Sequence, residues 1–177
     1  MNYYGAKELA ESFRTVRKNT IQVAEDIPED KYGFKVADDV RSVEKMLTHI
    51  ALTPQFQQQI HGDKLTTLEG FNFPARMQHM MAEEAKPRTK AQVIDMLRAE
   101  GEKFATFLEG LSDDFLGQAV MMPQGGTPPH RTRFDMILSV KEHEMHHRAQ
   151  LMLIERMIGV VPHLTRQMQE RMARMQR

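Results

Sequence analysis

The segment Ser139-Val140-Lys141-Glu142-His143-Glu144-Met145-His146-His147-Arg148-Ala149-Gln150 constrains this chain more than any other. It places three of the chain's eight histidines within five residues. It contains neither glycine nor proline, and strong helix formers flank it, so it reads as helix. On a helix, His143 and His147 lie four apart on one face, their rings one above the other. Two imidazoles so placed can bind one metal ion. The segment therefore points to a helical protein that holds a metal.

Length and composition set the frame. A chain of 177 residues predicts one domain with a core that needs no covalent staples. There is no cysteine, which excludes disulfides, thiolate ligands and a cysteine nucleophile. Lysine plus arginine and aspartate plus glutamate both number 24, so the chain lacks the basic field that nucleic acid requires. The end of the chain from Arg148 is locally basic and is read as a solvated helix face. The start of the sequence does not read as a signal peptide, and no apolar run reaches membrane-spanning length. A cytoplasmic protein is expected. Fifteen methionines and no tryptophan fit an adaptable helical core.

Five helices are predicted, and no strand. The first covers residues 4–25, with Leu9, Phe13, Val16, Thr20 and Val23 at helical spacing. Pro28 stops it and restricts Ile27. The second starts after Ser42, a good N-cap, with Val43, Met46, Leu47 and Ile50 as its stripe; it runs toward Ile60 with a kink at Pro54. The third opens at Thr89, where Thr89 and Gln92 fit a capping box, and ends near Leu111. The fourth opens after Thr132 and runs to Ile158, with Gly159 as C-cap. A short fifth over residues 164–175 carries Leu164, Met168, Met172 and Met175 on one side. Two long connections, 61–88 and 112–131, join the second to the third helix and the third to the fourth. The first is long enough to cross a helix of about 27 to 38 Å. A simple up-down-up-down bundle is therefore not required. The second contains Pro123-Gln124-Gly125-Gly126-Thr127-Pro128-Pro129, an irregular turn.

In projection, the fourth helix has an apolar arc of Ile137, Val140, Met145, Leu151 and Ile154. His143 and His147 fall inside it. Burying two imidazoles side by side leaves four ring nitrogens to satisfy, and one metal ion takes two of them. A third ligand should come from another helix. His49, between Met46 and Ile50, is on the core side of the second helix and is the best candidate. His61, His79, His130 and His163 are expected at the surface, and His146 flanks the stripe. Three neutral histidines with an open position suit Zn or Ni, with Fe or Mn as further options. His143-Glu144-x-x-His147 also matches the zincin motif, with Glu144 as base and Glu170 as a downstream ligand. No strand is found to build the cleft that reading needs. Glu144 is instead expected toward solvent or beside the site.

With these residues identified, the chain resembles the DinB/YfiT-like metal-binding family over about residues 5–160. The resemblance rests on the run Asp38-Asp39-Val40-Arg41-Ser42-Val43-Glu44-Lys45-Met46-Leu47-Thr48-His49-Ile50-Ala51 and on residues 142–151. It implies an all-α, four-helix bundle of up-down-down-up order, with the short helix at the end as an addition. It also implies a divalent metal on His49, His143 and His147. Ala149 stands where the family often has glycine. Relatives include transferases that use low-molecular-weight thiols, which here would come from outside the chain. The resemblance thus implies a metal-dependent transferase acting on a small molecule. A metal-dependent hydrolase and a non-catalytic metal-binding stress-response bundle are the alternatives. A homodimer is expected, with methionine and arginine on the last helix suited to an interface.

Overall fold

The computed structural model describes residues 4–176. Eight α-helices are present among them: α1 (Ala6–Asp26), α2 (Val43–Leu52), α3 (Pro54–Gly62), α4 (Phe73–Glu84), α5 (Lys90–Glu109), α6 (Asp113–Gly117), α7 (Arg133–Met157) and α8 (His163–Met175). A short hairpin pairs β1 (Ala119–Met121) with β2 (His130–Thr132) in antiparallel register. The predicted caps form. The Ser42, Thr89 and Thr132 side chains accept from the backbone N–H groups of Lys45, Gln92 and Asp135, each three residues on. Gly159 follows α7 with φ of 83°, a left-handed conformation that glycine adopts without a Cβ penalty.

Helix direction follows from which ends share a core. One cluster joins Val23 and Ile27 of the α1 end to Val43 and Leu47 at the start of α2, Val93 and Leu97 early in α5, and Leu151 and Ile154 late in α7. A second joins Leu9 and Phe13 early in α1 to Phe104 and Leu108 late in α5, and Ile137 and Val140 early in α7. Thus α1 runs up, α2–α3 and α5 run down, and α7 runs up. This is an up-down-down-up four-helix bundle, with α8 added at the end.

Three sequence expectations need correction. Pro54 does not kink one helix but divides it into α2 and α3, because its ring nitrogen cannot donate to the Ile50 carbonyl. The connection 61–88 contains α4, which ascends outside the bundle and buries only Glu84. Strands exist where none were predicted. The β1–β2 hairpin brackets the Pro123–Pro129 turn, and Val120 packs with Ile60, Leu68 and Met136. The hairpin and this third cluster close the bottom of the bundle around His61. His61 is buried rather than at the surface, and its Nδ1 lies 3.1 Å from Arg133 Nη1. Burial and the neighbouring Arg133 charge push its pKa down to about 4, so it is neutral. His163 is also buried, 3.3 Å from Asn19, whereas His79 and His130 are exposed as expected.

The bundle centre holds an ion pair. Arg17 of α1 binds Glu144 of α7 through Nε and Nη2, and both side chains are almost wholly buried. Its other donors reach the Leu97 carbonyl of α5 at 2.7 Å and the Ile50 carbonyl of α2 at 3.2 Å. The Ile50 carbonyl is the one that Pro54 leaves without a helical donor, and Arg17 supplies it. Gly101 makes room for this side chain: a Cβ there would lie 2.8 Å from Arg17 Cγ. Glu144 therefore points into the bundle, not toward solvent. Met145, placed by the sequence in the apolar arc, is instead exposed.

Candidate metal centre

His49 sits two turns into the apolar face of α2, and His143 and His147 sit one turn apart on α7. Both helices turn those faces to the bundle interior because Met46, Ile50, Val140 and Leu151 are buried there. The three rings converge. His49 Nε2 lies 3.1 Å from His143 Nε2, and His147 Nε2 lies 3.1 Å from the same atom. One nitrogen from each ring falls within 4.8 Å of the others. Tetrahedral zinc with bonds of about 2.0–2.1 Å sets its nitrogens roughly 3.3 Å apart.

Proton placement decides what the cluster can hold. His49 Nδ1 donates to Glu84 Oε1 at 2.7 Å, and His147 Nδ1 donates to Gln150 Oε1 at 2.8 Å. Neither acceptor can return a proton, so both histidines carry a lone pair on Nε2. These two lone pairs point at His143. A proton on His143 Nε2 satisfies one of them, and its buried Nδ1 has no partner in either case. A cation takes all three lone pairs together. Burial, reinforced by the neighbouring His147 and His49, pushes the pKa of His143 down to about 4, and burial lowers that of His147 too. His143 and His147 are thereby favoured in the neutral form, the form that binds a metal. The donor set thus fits a divalent ion.

Two partners of this cluster were not read from the sequence. Glu84 comes from α4, in the connection, and also accepts from Arg41 Nε at 2.7 Å. Burial opposes its ionisation, but the His49 and Arg41 hydrogen bonds outweigh that and lower its pKa. Gln150, one turn after His147 on α7, takes the His147 Nδ1 proton; its amide also faces the exposed His146 at 3.3 Å. His146 does not join the cluster. The zincin reading fails on geometry: Glu144 is consumed by Arg17, and Glu170 is exposed on α8.

The cluster borders a cavity of about 290 Å³ between α2–α3, α4 and α7. His49 and His143 form its inner end, and Leu52, Phe56, Phe73 and Val140 its walls.

Residues 12–151 match the DinB superfamily. The chain belongs to that superfamily. Its fold is similar to the DinB-like protein YjoA of Bacillus subtilis, with 21% identity, a TM-score of 0.63, and 86% of this chain and 92% of that one covered. It is also similar to YfiT of Bacillus subtilis, with 13% identity, a TM-score of 0.69, and 90% and 91% covered. YfiT is described as a probable metal-dependent hydrolase with an unusual four-helix bundle topology. A comparison with curated proteins gives no match. No helix among the described residues is long and apolar enough to cross a membrane.

Proposed function

We propose that this DinB-superfamily protein is a metal-dependent enzyme whose metal ion is held by His49, His143 and His147. We further propose that it transfers a low-molecular-weight thiol to a small electrophile. The observation that carries the metal reading is the convergence of Nε2 lone pairs whose tautomers Glu84 and Gln150 set. A divalent ion on neutral imidazoles supplies a positive centre that favours the deprotonated form of a thiol or water.

The chain's own residues support the thiol reading in two ways. There is no cysteine, so in this reading the sulfur nucleophile enters from solution and the site must admit it. The cavity that leads to the histidines is walled by aliphatic, aromatic and thioether side chains, which suit a soft sulfur and an apolar partner better than a peptide or a sugar. Glu84 and Glu83, the nearby carboxylates, are engaged by His49 with Arg41 and by Lys86 with Arg88. Hydrolysis is the second reading, favoured by the structural likeness to YfiT.

The test is spectroscopic. Protein loaded with Co(II) should develop a near-ultraviolet charge-transfer band when a small thiol is added, and His143→Ala should lose both the metal and the band. No band at saturating thiol would reject thiol transfer. Turnover of an ester or amide in the same preparation would then favour hydrolysis.

A further inference from the structure

The polar side chains lining the cavity are nearly all engaged with the protein itself. Thr53 Oγ1 donates to the His49 carbonyl at 2.8 Å, and Ser139 Oγ donates to the Met136 carbonyl at 2.6 Å. Gln55 donates to Glu100 at 2.9 Å, and Gln57 accepts from His61 at 3.0 Å. Arg76 is the exception of note. It sits on α4, half-buried, and lines the same cavity as His49 and His143. Among the described residues its side chain makes no hydrogen bond and no ion pair. Every other arginine before α8 is held by a carboxylate, a carbonyl or a hydroxyl: Arg14, Arg17, Arg41 and Arg88 are examples, and Arg133 and Arg148 reach carbonyls. Here a guanidinium with five donors borders an apolar space with nothing to donate to. The group is half-buried and free of protein partners, so a ligand anion in the cavity could pair with it without breaking an existing contact.

The size of the space limits what that ligand is. A volume of about 290 Å³ is at the small end of ligand sites, the room of roughly ten waters. Phe56 and Phe73, with ring centroids 5.4 Å apart, line it together with the adaptable Met77 and Met80.

We propose that the cavity takes a compact, apolar molecule bearing one anionic group, which pairs with Arg76 while the opposite end of the molecule faces His49 and His143. A carboxylate is the smallest such group, and it would receive two parallel N–H donors from the guanidinium. Arg76 is then the residue that selects acids over neutral analogues of the same shape. This assignment rests on the cavity being the mouth of the metal centre proposed above.

The experiment uses 4-phenylbutyrate and its primary amide, a matched pair differing in charge, titrated calorimetrically into metal-loaded and chelator-treated protein. The acid should bind about tenfold more tightly than the amide in both preparations. Arg76→Gln should remove that preference, leaving amide binding unchanged, and Arg76→Lys should restore part of it. Methyl NMR should show the shifts at Met77 and Met80, not at Met168 and Met172. The proposal is overturned by equal binding of acid and amide to the wild type, by a preference that survives Arg76→Gln, or by shifts confined to α8. A preference lost on chelation but kept in Arg76→Gln would place the anion on the metal and also overturn it. Elemental analysis keeps the two readings apart: an Arg76-dependent preference in protein that binds no metal upholds this inference and rejects the metal centre.

Discussion

Replacing Glu84 should weaken metal binding more than its distance from the metal face would suggest. Its carboxylate holds the His49 proton on Nδ1, which keeps the Nε2 lone pair turned to the other histidines. In Glu84→Gln the side chain keeps its shape but must satisfy two donors, His49 Nδ1–H and Arg41 Nε–H, with one oxygen. If the amide nitrogen turns to His49, it favours the other tautomer and places a proton on Nε2, against the metal. If it turns to Arg41, a donor meets a donor. Partners of this kind are worth about 10- to 100-fold in metal affinity, or about 1.4 to 2.7 kcal/mol. Arg41 is 35% exposed, so water can replace its lost partner and little of the effect should come from there.

The control lies on the other ligand. Gln150, which plays the matching role for His147, is exposed, so water can take its place. Gln150→Ala should cost at most about threefold, near the weak end of a solvent-accessible hydrogen bond. The assay is competition against a chromogenic chelator, with zinc or nickel, at constant pH. A Glu84→Gln dissociation constant within twofold of wild type would refute the argument, as would a larger loss in Gln150→Ala.

Three further outcomes are expected. Glu144→Gln leaves Arg17 buried and uncompensated; it should destabilise the fold by about 3–5 kcal/mol, lowering Tm by roughly 10 °C, while the folded fraction keeps its metal stoichiometry. An unchanged Tm by differential scanning fluorimetry would contradict this. Glu155 is fully buried with neither carboxylate oxygen partnered, and burial, aided by Asp26, raises its pKa from 4.5 to about 7. The unfolded chain therefore ionises first as pH rises, so stability falls between about pH 4.5 and 7, and Glu155→Gln should gain on the order of 2 kcal/mol above pH 7 and none near pH 4; a gap between the two proteins that does not change with pH would be the wrong result. We expect a homodimer, without assigning its interface to α8, and a monomer mass by light scattering at high concentration would exclude it.

How much was legible in the sequence depended on what each residue answers to. α1, α5 and α7 could be read because their apolar stripes and the Thr89 and Thr132 caps are local facts. The His49–His143–His147 grouping followed for the same reason: each histidine shares a stripe with residues that must be buried. α4 could not be read, since it buries only Glu84 and leaves Met77 and Met81 exposed, so it has no stripe to find. The strands are three residues long, too short for alternation to register. His61 depends on Arg133, 72 residues away, and no local pattern shows that. The last helix was expected to lay an apolar side on something. In the structure it docks through His163 and Leu164 at its first turn and leaves the three methionines in solvent. A further signal lies in the charges. Glu144 is four residues after Val140 and seven before Leu151, and Arg17 is four after Phe13, so opposite charges stand in two apolar stripes. Such a pair is expected to meet.

That pair also explains why the histidines meet where they do. The ligand-bearing turns of α2 and α7 are far apart in sequence, and apolar packing alone would tolerate a slide of one helix along the other. Arg17 Nη2 bonds both the Ile50 carbonyl, one residue past His49, and Glu144, one residue past His143. A single guanidinium thus ties the two turns at fixed height. The hydrogen bond to Ile50 is available because Pro54 cannot use that carbonyl, and the space is available because residue 101 is glycine. The break between α2 and α3 is therefore not a defect in a long helix. It frees the acceptor that sets the register of the three histidines.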